Sequence, residues 1–251
     1  MQGIMSVTQL YIEGIAMKIH RSDERGRAER TWLKSRFSFS FADYHDPDRM
    51  GFGALRAIND DVIAPEGGFR THPHENMEII TVVTKGVVEH KDSEGNSGFT
   101  EAGEVQYMSA GSGITHSEFN PSPREPLELF QIWITPSSRG DAPRYAKRDF
   151  HDFDDDNLWV PLISPDGRGN AMAIRQDATI LTTRLDTADS IVAMPVKAGH
   201  GRLLFVVEGE VKIGDAVLKR RDEAQITHDE EVIIHANAPA HLLLFDVPMR
   251  S

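Results

Sequence analysis

The chain has 251 residues, no cysteine and a formal net charge of −12 at pH 7, because 39 Asp and Glu outnumber 27 Lys and Arg. A surface this acidic repels phosphate backbones, whose affinity for proteins comes largely from basic side chains, so we expect no direct nucleic-acid partner. Disulfides and cysteine nucleophiles are excluded, and any metal ion must be held by imidazole and carboxylate groups.

The N-terminal segment gives no sign of export or membrane insertion. It lacks the basic start and apolar core of a signal peptide, and no apolar run in the chain is long enough to cross a bilayer. We therefore expect a cytoplasmic protein without membrane contact. Met17 is a second plausible start, and we interpret residues 1–16 as an extension or the product of an upstream start.

Short segments with two-residue periodicity, closed by Gly, Asp, Asn and Pro, follow one another along most of the chain. The predicted strands of the first half are residues 77–84, 86–91, 104–109 and 128–135. Those of the second half are residues 170–176, 179–185, 190–196, 202–214, 231–236 and 241–248. Few segments show a sustained helical period, so we predict an all-β fold of sandwich or barrel architecture.

A weak internal repeat divides the chain. "VVTKGVVEH" around Gly86 resembles "VVEGEVKIG" around Gly209, and the two glycines are 123 residues apart, close to half the chain. Any two hairpins share this pattern of a β-branched strand, a glycine turn and a second strand. The alternative is two barrels of one kind, joined near residues 136–150.

Two pairs of residues have the spacing of metal ligands on strands. His72 and His74 lie in "GGFRTHPHENMEIITVVTKG", and His116 and Glu118 lie in "GEVQYMSAGSGITHSEFN". Positions i and i+2 of a strand point to the same face, so each pair directs two donor groups into one space. If neighbouring strands carry the pairs, three imidazoles and one carboxylate meet. This donor set suits Fe, Cu, Ni, Mn or Zn.

The identity of the carboxylate ligand is not decided by the spacing of these pairs. Glu78 has the same strand parity as His72 and His74 and could replace Glu118 as the carboxylate ligand, and spacing alone does not decide between them. We interpret His90 as a surface or strand-edge residue, and His45 as part of a structural loop.

The predicted strand 128–135 has two faces of different chemistry. Parity places Phe130, Ile132 and Ile134 on one face, with Gln131, Trp133 and Thr135 on the other. The sequence does not decide which face lines the interior.

From about Met17 onward, the chain resembles the pirin family of the cupin superfamily. The resemblance rests on four segments. They are "FSFADYHDPDRMGFGALRAINDDVIAPEGGFRTHPHENMEIITVVTKGVVEHKDSEGN", "GEVQYMSAGSGITHSEFNPS", "FQIWITPSSRGDAPRY" and "SPDGRGNAMAIRQDA". The combined motifs are far more specific than a lone H-x-H pair.

The resemblance implies a bicupin of two stacked antiparallel β-barrels, of the double-stranded β-helix type. Residues 17–137 are then the N-terminal, metal-binding barrel, and residues 138–251 are a second barrel without a metal site. The second half agrees with the loss of a metal site. The positions 123 residues after the two ligand pairs of the first half hold mostly residues that do not bind metals: Pro195, Lys197, Pro239 and His241.

The resemblance also implies the ligands and the metal. Carried over from the family, the ligands are His72, His74, His116 and Glu118, and Glu78 becomes a neighbour of the site. One divalent ion is expected, with Fe(II) favoured and Mn, Ni, Cu, Zn or Co tolerated.

The function implied is that of bacterial members similar to quercetin 2,3-dioxygenases. We expect a small, flavonol-like aromatic substrate, bound at the metal and cleaved by O2 with release of CO. Glu118 then acts as both ligand and general base. The alternative, similar to eukaryotic pirins, is a non-enzymatic, metal-dependent regulator that binds a protein partner.

Overall fold

The computed structural model describes residues 8–12, 15–151 and 157–249, and the regular secondary structure in this part of the chain is almost entirely β-strand. The prediction for residues 1–16 falls largely outside the described residues. Within them, one short 3-10 helix is present, Ser22–Glu24, and no helix is long and apolar enough to span a bilayer.

The strands fall into two successive groups along the chain. In the first part they are β1 (Thr8–Ile12), β2 (Ile15–His20), β3 (Gly26–Glu29), β4 (Leu33–Phe37), β5 (Leu55–Ile63), β6 (Gly68–His74), β7 (Glu78–Lys85), β8 (Val87–Asp92), β9 (Ser97–Glu101), β10 (Glu104–Ser109), β11 (Ile114–Phe119), β12 (Leu127–Ile134) and β13 (Arg144–Asp149). In the second part they are β14 (Val160–Ser164), β15 (Met172–Ala173), β16 (Thr179–Leu185), β17 (Ile191–Ala193), β18 (His200–Glu208), β19 (Glu210–Ile213), β20 (Ala216–Lys219), β21 (Glu223–Ile226), β22 (Ile233–Ala236) and β23 (Ala240–Pro248).

Each half is built from one large and one small sheet. The N-terminal half has a seven-stranded sheet, β13-β10-β7-β12-β5-β4-β3, and a four-stranded sheet, β6-β11-β8-β9. The C-terminal half has an eight-stranded sheet, β1-β2-β21-β18-β23-β16-β14-β15, and a four-stranded sheet, β17-β22-β19-β20. The predicted all-β bicupin fold is confirmed, although each barrel is a pair of facing sheets rather than a closed ring of strands.

The internal repeat reflects this shared topology. The β7–β8 hairpin turns at Gly86 and the β18–β19 hairpin turns at Gly209, and both glycines have positive φ, 80° and 87°. A side chain at either position would be strained in this conformation, which explains why the repeat retains glycine at both turns.

Each half contributes a strand to the large sheet of the other half, when the halves are divided at residues 137 and 138. β2 pairs with β21, matching Met17 to Ile226, so the first strands extend the large sheet of the C-terminal half. β13 pairs with β10, matching Ala146 to Tyr107, and extends the large sheet of the N-terminal half. The division at residues 137 and 138 stays a prediction, and strand pairing links the two sides of it.

The two large sheets pack against each other through one apolar cluster. Their outward-facing residues include Ile80, Phe130 and Ile132 from the N-terminal half, with Phe205 and Phe245 from the C-terminal half. The Phe130 and Phe205 rings meet edge to face, with centroids 5.3 Å apart. The protein is therefore four sheets deep, and each small sheet lies on the outside.

The interiors of the two halves differ in chemistry. The C-terminal interior is one apolar cluster that includes Leu204, Leu242 and Ile234. The N-terminal interior contains two separate apolar clusters, one around Val88 and Leu129 and the other around Met108 and Ile114.

Strand β5 is not among the predicted strands, because Asn59-Asp60-Asp61 resembles a turn. In the fold these polar residues have buried partners. Asp61 accepts a hydrogen bond from Ser35, and Asp60 pairs with Arg221 at 3.0 Å and Arg25 at 3.4 Å. Burial raises the pKa of Asp61 to about 7.

A buried ion pair between Arg49 and Glu223 joins the two halves. Replacing Arg49 by Leu leaves the Glu223 carboxylate, which is 0% exposed, without its hydrogen-bonded partner. We expect Arg49→Leu to lower the free energy of unfolding by about 3–5 kcal/mol, as is usual when one partner of a buried pair is removed. Urea denaturation measures this change.

The matched control is Arg36→Leu, which removes an exposed pair with Glu29. Exposed pairs contribute about 0–1 kcal/mol. A loss for Arg49→Leu no larger than that for Arg36→Leu would contradict this role.

Candidate metal centre

Three adjacent strands of the small N-terminal sheet bring the candidate residues together. Central strand β11 lies between β6 and β8. His116 is opposite His72 of β6 on one side and opposite Asp92 of β8 on the other. Alternation turns His116 and Glu118 inward, where each is 1% exposed, whereas Ser117 between them is half-buried.

The rings of His72, His74 and His116 form a compact triangle. Their centroids are 4.7 Å apart for His72 and His74, 4.6 Å for His72 and His116, and 4.9 Å for His74 and His116. Nε2 of His72 lies 3.2 Å from Nε2 of His116. Two nitrogens at about 2.0–2.1 Å from one cation are about 3 Å apart, so this spacing fits two ligands of a single ion.

The tautomer of His72 follows from its hydrogen bond. Nδ1 lies 2.7 Å from the backbone carbonyl of Arg70, and a carbonyl can only accept, so Nδ1 carries the proton. Nε2 is left with a free lone pair directed at His116. Ligand histidines are commonly oriented by a hydrogen bond of this kind.

Burial keeps the inner rings neutral. Desolvation, and then the neighbouring His116 and His72, lower the pKa of His74 to about 4. Desolvation, followed by His72 and His90, lowers the pKa of His116 to about 3. Both side chains are therefore unprotonated at neutral pH, as metal binding requires.

Glu118 lies apart from His72 and His74. A β-bulge between His116 and Glu118 shifts the register, so Glu118 pairs with Phe69 of β6. Donor atoms of His72, His74 and His116 lie within 4.8 Å of one another, whereas Glu118 groups at the same limit with His116 and His90.

The large sheet supplies the hydrogen bonds that hold Glu118. Gln131 Nε2 donates to Oε2 at 2.6 Å, and Gln106 Nε2 donates to Oε1 at 3.1 Å. The Thr81 hydroxyl is 3.3 Å from Oε1. Burying a carboxylate costs free energy unless the group is hydrogen-bonded, and these three donors provide the hydrogen bonds.

Other donors set the orientation of the two amides. Trp133 Nε1 donates to Gln131 Oε1 at 3.1 Å, and the Tyr145 hydroxyl donates to Gln106 Oε1 at 3.2 Å. Because the amide oxygens are occupied as acceptors, the NH2 groups face Glu118. Trp133 also packs edge to face on His74, with centroids 5.0 Å apart, so it contacts both parts of the site.

The interpretation of His90 as a surface or strand-edge residue is wrong. His90 is 0% exposed, and β8 lies between β11 and β9 rather than at an edge. It is opposite Glu118 across the sheet. The sequence contained a sign of this burial, because His90 lies two residues after the apolar Val88 and therefore shares its face of the strand.

The expectation that Glu78 neighbours the site is also wrong. β6 ends at His74 and β7 begins at Glu78 in another sheet, so parity does not carry across the loop. Glu78 instead accepts hydrogen bonds from Tyr107, from Ser109 at 2.6 Å and from the Arg175 backbone at 3.2 Å. Its contact with Arg175 links the two halves.

The structure decides the faces of β12. Phe130, Ile132 and Ile134 belong to the cluster between the large sheets. Gln131 and Trp133 face the N-terminal interior, where they contact Glu118 and His74.

The C-terminal half has apolar residues in the corresponding place. β22 occupies the position of β11 in its sheet, and its Ile234 and Ala236 are buried. His228 and Glu230 have H-x-E spacing, but the Glu230 backbone N–H donates to His228 Nδ1. Among the described residues, every group of three close donor residues lies in the N-terminal half.

Sequence similarity extends over both halves. The pirin family model matches residues 19–134, and the model described as the quercetinase C-terminal cupin domain matches residues 161–247. Quercetin 2,3-dioxygenase of Escherichia coli (strain K12) is 44% identical over 230 residues, covering 92% of this chain and 98% of the relative. This chain belongs to the pirin family. A pirin-like protein of Caulobacter vibrioides is 43% identical over 225 residues, covering 89% and 96% of the two chains.

Solved structures show the same architecture. The bacterial pirin YhhW from Escherichia coli, in complex with nickel(II), superposes with a TM-score of 0.88 at 42% identity, covering 92% of this chain and 99% of that chain. A quercetin 2,3-dioxygenase from Acinetobacter baumannii shares the fold, with a TM-score of 0.75 at 22% identity and coverage of 92% and 85%.

The histidine pKa values predict how stability depends on pH in the metal-free protein. The folded-state values of about 4 and about 3 for His74 and His116 lie below the ordinary 6.5. As the pH falls below 6.5, the unfolded chain binds protons that the folded chain does not, so the free energy of unfolding decreases until the folded pKa is reached.

We expect His116→Asn to lose less stability than the wild type between pH 6.5 and about 4, because Asn does not titrate in this range. Urea denaturation at a series of pH values, with chelator present, measures the difference. Identical pH dependence in the two proteins would show that His116 titrates normally.

The amide contact with Oε2 gives a second prediction. Gln131→Leu removes the 2.6 Å hydrogen bond to Glu118. The free energy of unfolding of the metal-free protein should decrease by about 1.5–3 kcal/mol, the range for hydrogen bonds to charged groups. Thr81→Val is the matched comparison and should cost less, because Gln106 also donates to Oε1. A larger loss for Thr81→Val would reverse this ranking of the donors.

Proposed function

We propose that this chain is a metal-dependent dioxygenase that cleaves a flavonol-like substrate with O2, yielding a depside and CO. The observation that carries the proposal is the convergence of three imidazoles beside a buried carboxylate held by two amides. The similarity to a protein named quercetin 2,3-dioxygenase, over 92% of this chain, supports the choice of reaction.

His72, His74, His116 and Glu118 would hold one divalent ion. With three neutral imidazoles and one carboxylate, a divalent ion keeps a net charge of +1, which favours an anionic ligand such as a deprotonated flavonol 3-hydroxyl. When bound, the metal supplies Lewis-acid polarisation and brings the flavonol and O2 together. Fe(II) is the favoured ion, and the nickel(II) complex of the YhhW pirin supports tolerance of others.

Glu118 is the proton acceptor in this proposal. Oε1 faces two donors, Gln106 and Thr81, whereas Oε2 accepts from Gln131. Oε2 therefore has the lone pair that would bind the metal ion, and it would take the proton of the substrate hydroxyl once Glu118 loosens from the ion. The amides fix the position of the carboxylate, which supplies the orientation that general-base catalysis needs.

The proposed substrate site is the cavity beside His74. Its volume is about 480 Å³, and its lining includes His74, Ser93, Ile114 and Thr115. Cavities of about 300–1,000 Å³ bind small organic ligands. A larger cavity of about 810 Å³ lies between the halves, but none of the candidate ligands lines it.

The test is anaerobic reconstitution with Fe(II), Mn(II), Co(II), Ni(II), Cu(II) and Zn(II), each followed by addition of quercetin and air. Loss of the long-wavelength absorbance of quercetin and release of CO measure turnover. We expect turnover with at least one metal, and a loss of roughly 100-fold or more in Glu118→Gln, since general base catalysis contributes about 10²–10⁴-fold.

His116→Ala should abolish metal binding and turnover together. His241→Gln is the matched control and should retain both, because His241 bonds to Thr182 in the other half. Metal binding without turnover in every form would contradict the dioxygenase and favour a metal-dependent regulator that binds a protein partner.

A further inference from the structure

His90 is a buried histidine beside the candidate metal site. It is 0% exposed, and its ring stacks on Tyr145 with centroids 4.8 Å apart and an interplanar angle of 19°. Its centroid lies 5.4 Å from that of His116. One donor atom from each of His90, His116 and Glu118 lies within 4.8 Å of the other two.

Asp92 determines the tautomer of His90. Nε2 of His90 lies 3.1 Å from Asp92 Oδ2. The Asp92 carboxylate also accepts hydrogen bonds from the side chain of Asn96 at 2.9 Å and from the Glu94 backbone at 3.0 Å. As an acceptor surrounded by donors, Asp92 requires the proton to lie on Nε2 of His90. Nδ1 of His90 is therefore an acceptor.

His116 has the complementary requirement. Its Nε2 faces His72, so a metal ion at that position needs the lone pair of Nε2 and places the proton of His116 on Nδ1. Among the described residues, Nδ1 of His116 and Nδ1 of His90 are both buried without a hydrogen-bond partner. Buried polar atoms are almost always paired. One of these atoms is a donor and the other an acceptor, and they lie on adjacent strands.

We propose that His90 is a positioning residue, which accepts a hydrogen bond from Nδ1–H of His116 and so holds Nε2 of His116 toward the metal ion. Asp92, His90 and His116 then form one chain from the carboxylate at the end of β8 to the metal ion. The inference rests on the metal site of the proposed function but does not depend on flavonol cleavage.

Three substitutions at His90 separate this role from simple packing. His90→Asn keeps an acceptor oxygen close to the position of Nδ1. His90→Gln places its amide near the position of Nε2, beside Asp92, and loses the acceptor at Nδ1. His90→Phe retains the ring and the stacking on Tyr145 but loses both polar atoms. His241→Asn is the control for loss of a half-buried histidine distant from the site.

The primary measurement is the affinity for Zn(II) and Co(II), by competition with a chromophoric chelator. We expect His90→Phe and His90→Gln to bind roughly 10- to 100-fold more weakly than the wild type, the usual cost of losing the partner of a ligand histidine. His90→Asn and His241→Asn should bind close to wild-type affinity. Circular dichroism and thermal unfolding confirm that each variant is folded.

A second measurement reports on the proton itself. In the Co(II) form, the imidazole N–H protons of ligand histidines give hyperfine-shifted, exchangeable ¹H NMR signals. Substitution at His90 should accelerate solvent exchange of one signal in His90→Phe and His90→Gln but not in His90→Asn. A purely structural role of the His90 ring would not produce this pattern.

The inference is overturned if the wild type binds no metal, if His90→Gln and His90→Phe bind as tightly as the wild type, or if His90→Asn is as weak as His90→Phe. Failure of the proposed function is a separate result. In that case the order of metal affinities holds, while no metal form of the wild type degrades quercetin.

Discussion

The carboxylate of Glu118, buried inside a two-layer β-sandwich, is the constraint on which the N-terminal half depends. A buried charge must be satisfied by donors, and the large sheet places Gln106, Gln131 and Thr81 opposite it. These polar side chains divide the apolar interior into two clusters. The C-terminal half also pairs one large sheet with a four-stranded sheet, and the interior between them is one continuous apolar cluster. The N-terminal sandwich therefore contains the candidate metal centre, and the C-terminal sandwich has an apolar interior.

The packing of the large sheets places the site where it can work. Apolar residues such as Phe130 and Phe205 join the sheets back to back, so the small sheets face outward. His72 and His74, on the edge strand β6, are half-buried, while His116 and Glu118 are enclosed. The site is therefore more exposed on the side of His72 and His74 than on the side of Glu118. Because its residues lie on strands rather than loops, their positions are held by the ladder hydrogen bonds.

The two-residue alternation of side chains predicted correctly which residues share a face within one strand, but it failed for residues separated by a loop. It grouped His116 with Glu118 and placed Gln131 and Trp133 on one face, as the structure does. It failed for Glu78, because the loop after β6 carries the chain into another sheet. Strand β5 was missed because its central polar residues have partners, Ser35 and Arg25, that are distant in sequence.

The sequence by itself determined the all-β class and the pairing of His72 with His74, and of His116 with Glu118, on one strand face each, because two-residue periodicity and motif spacing are local properties. Only the tertiary structure decided which side chains surround Glu118, because its donors come from strands of the opposite sheet. It also decided the burial of His90, which results from the pairing of β8 with β11 and β9 on either side. The exchange of β2 and β13 between the halves likewise depends on long-range strand pairing, which no local pattern specifies.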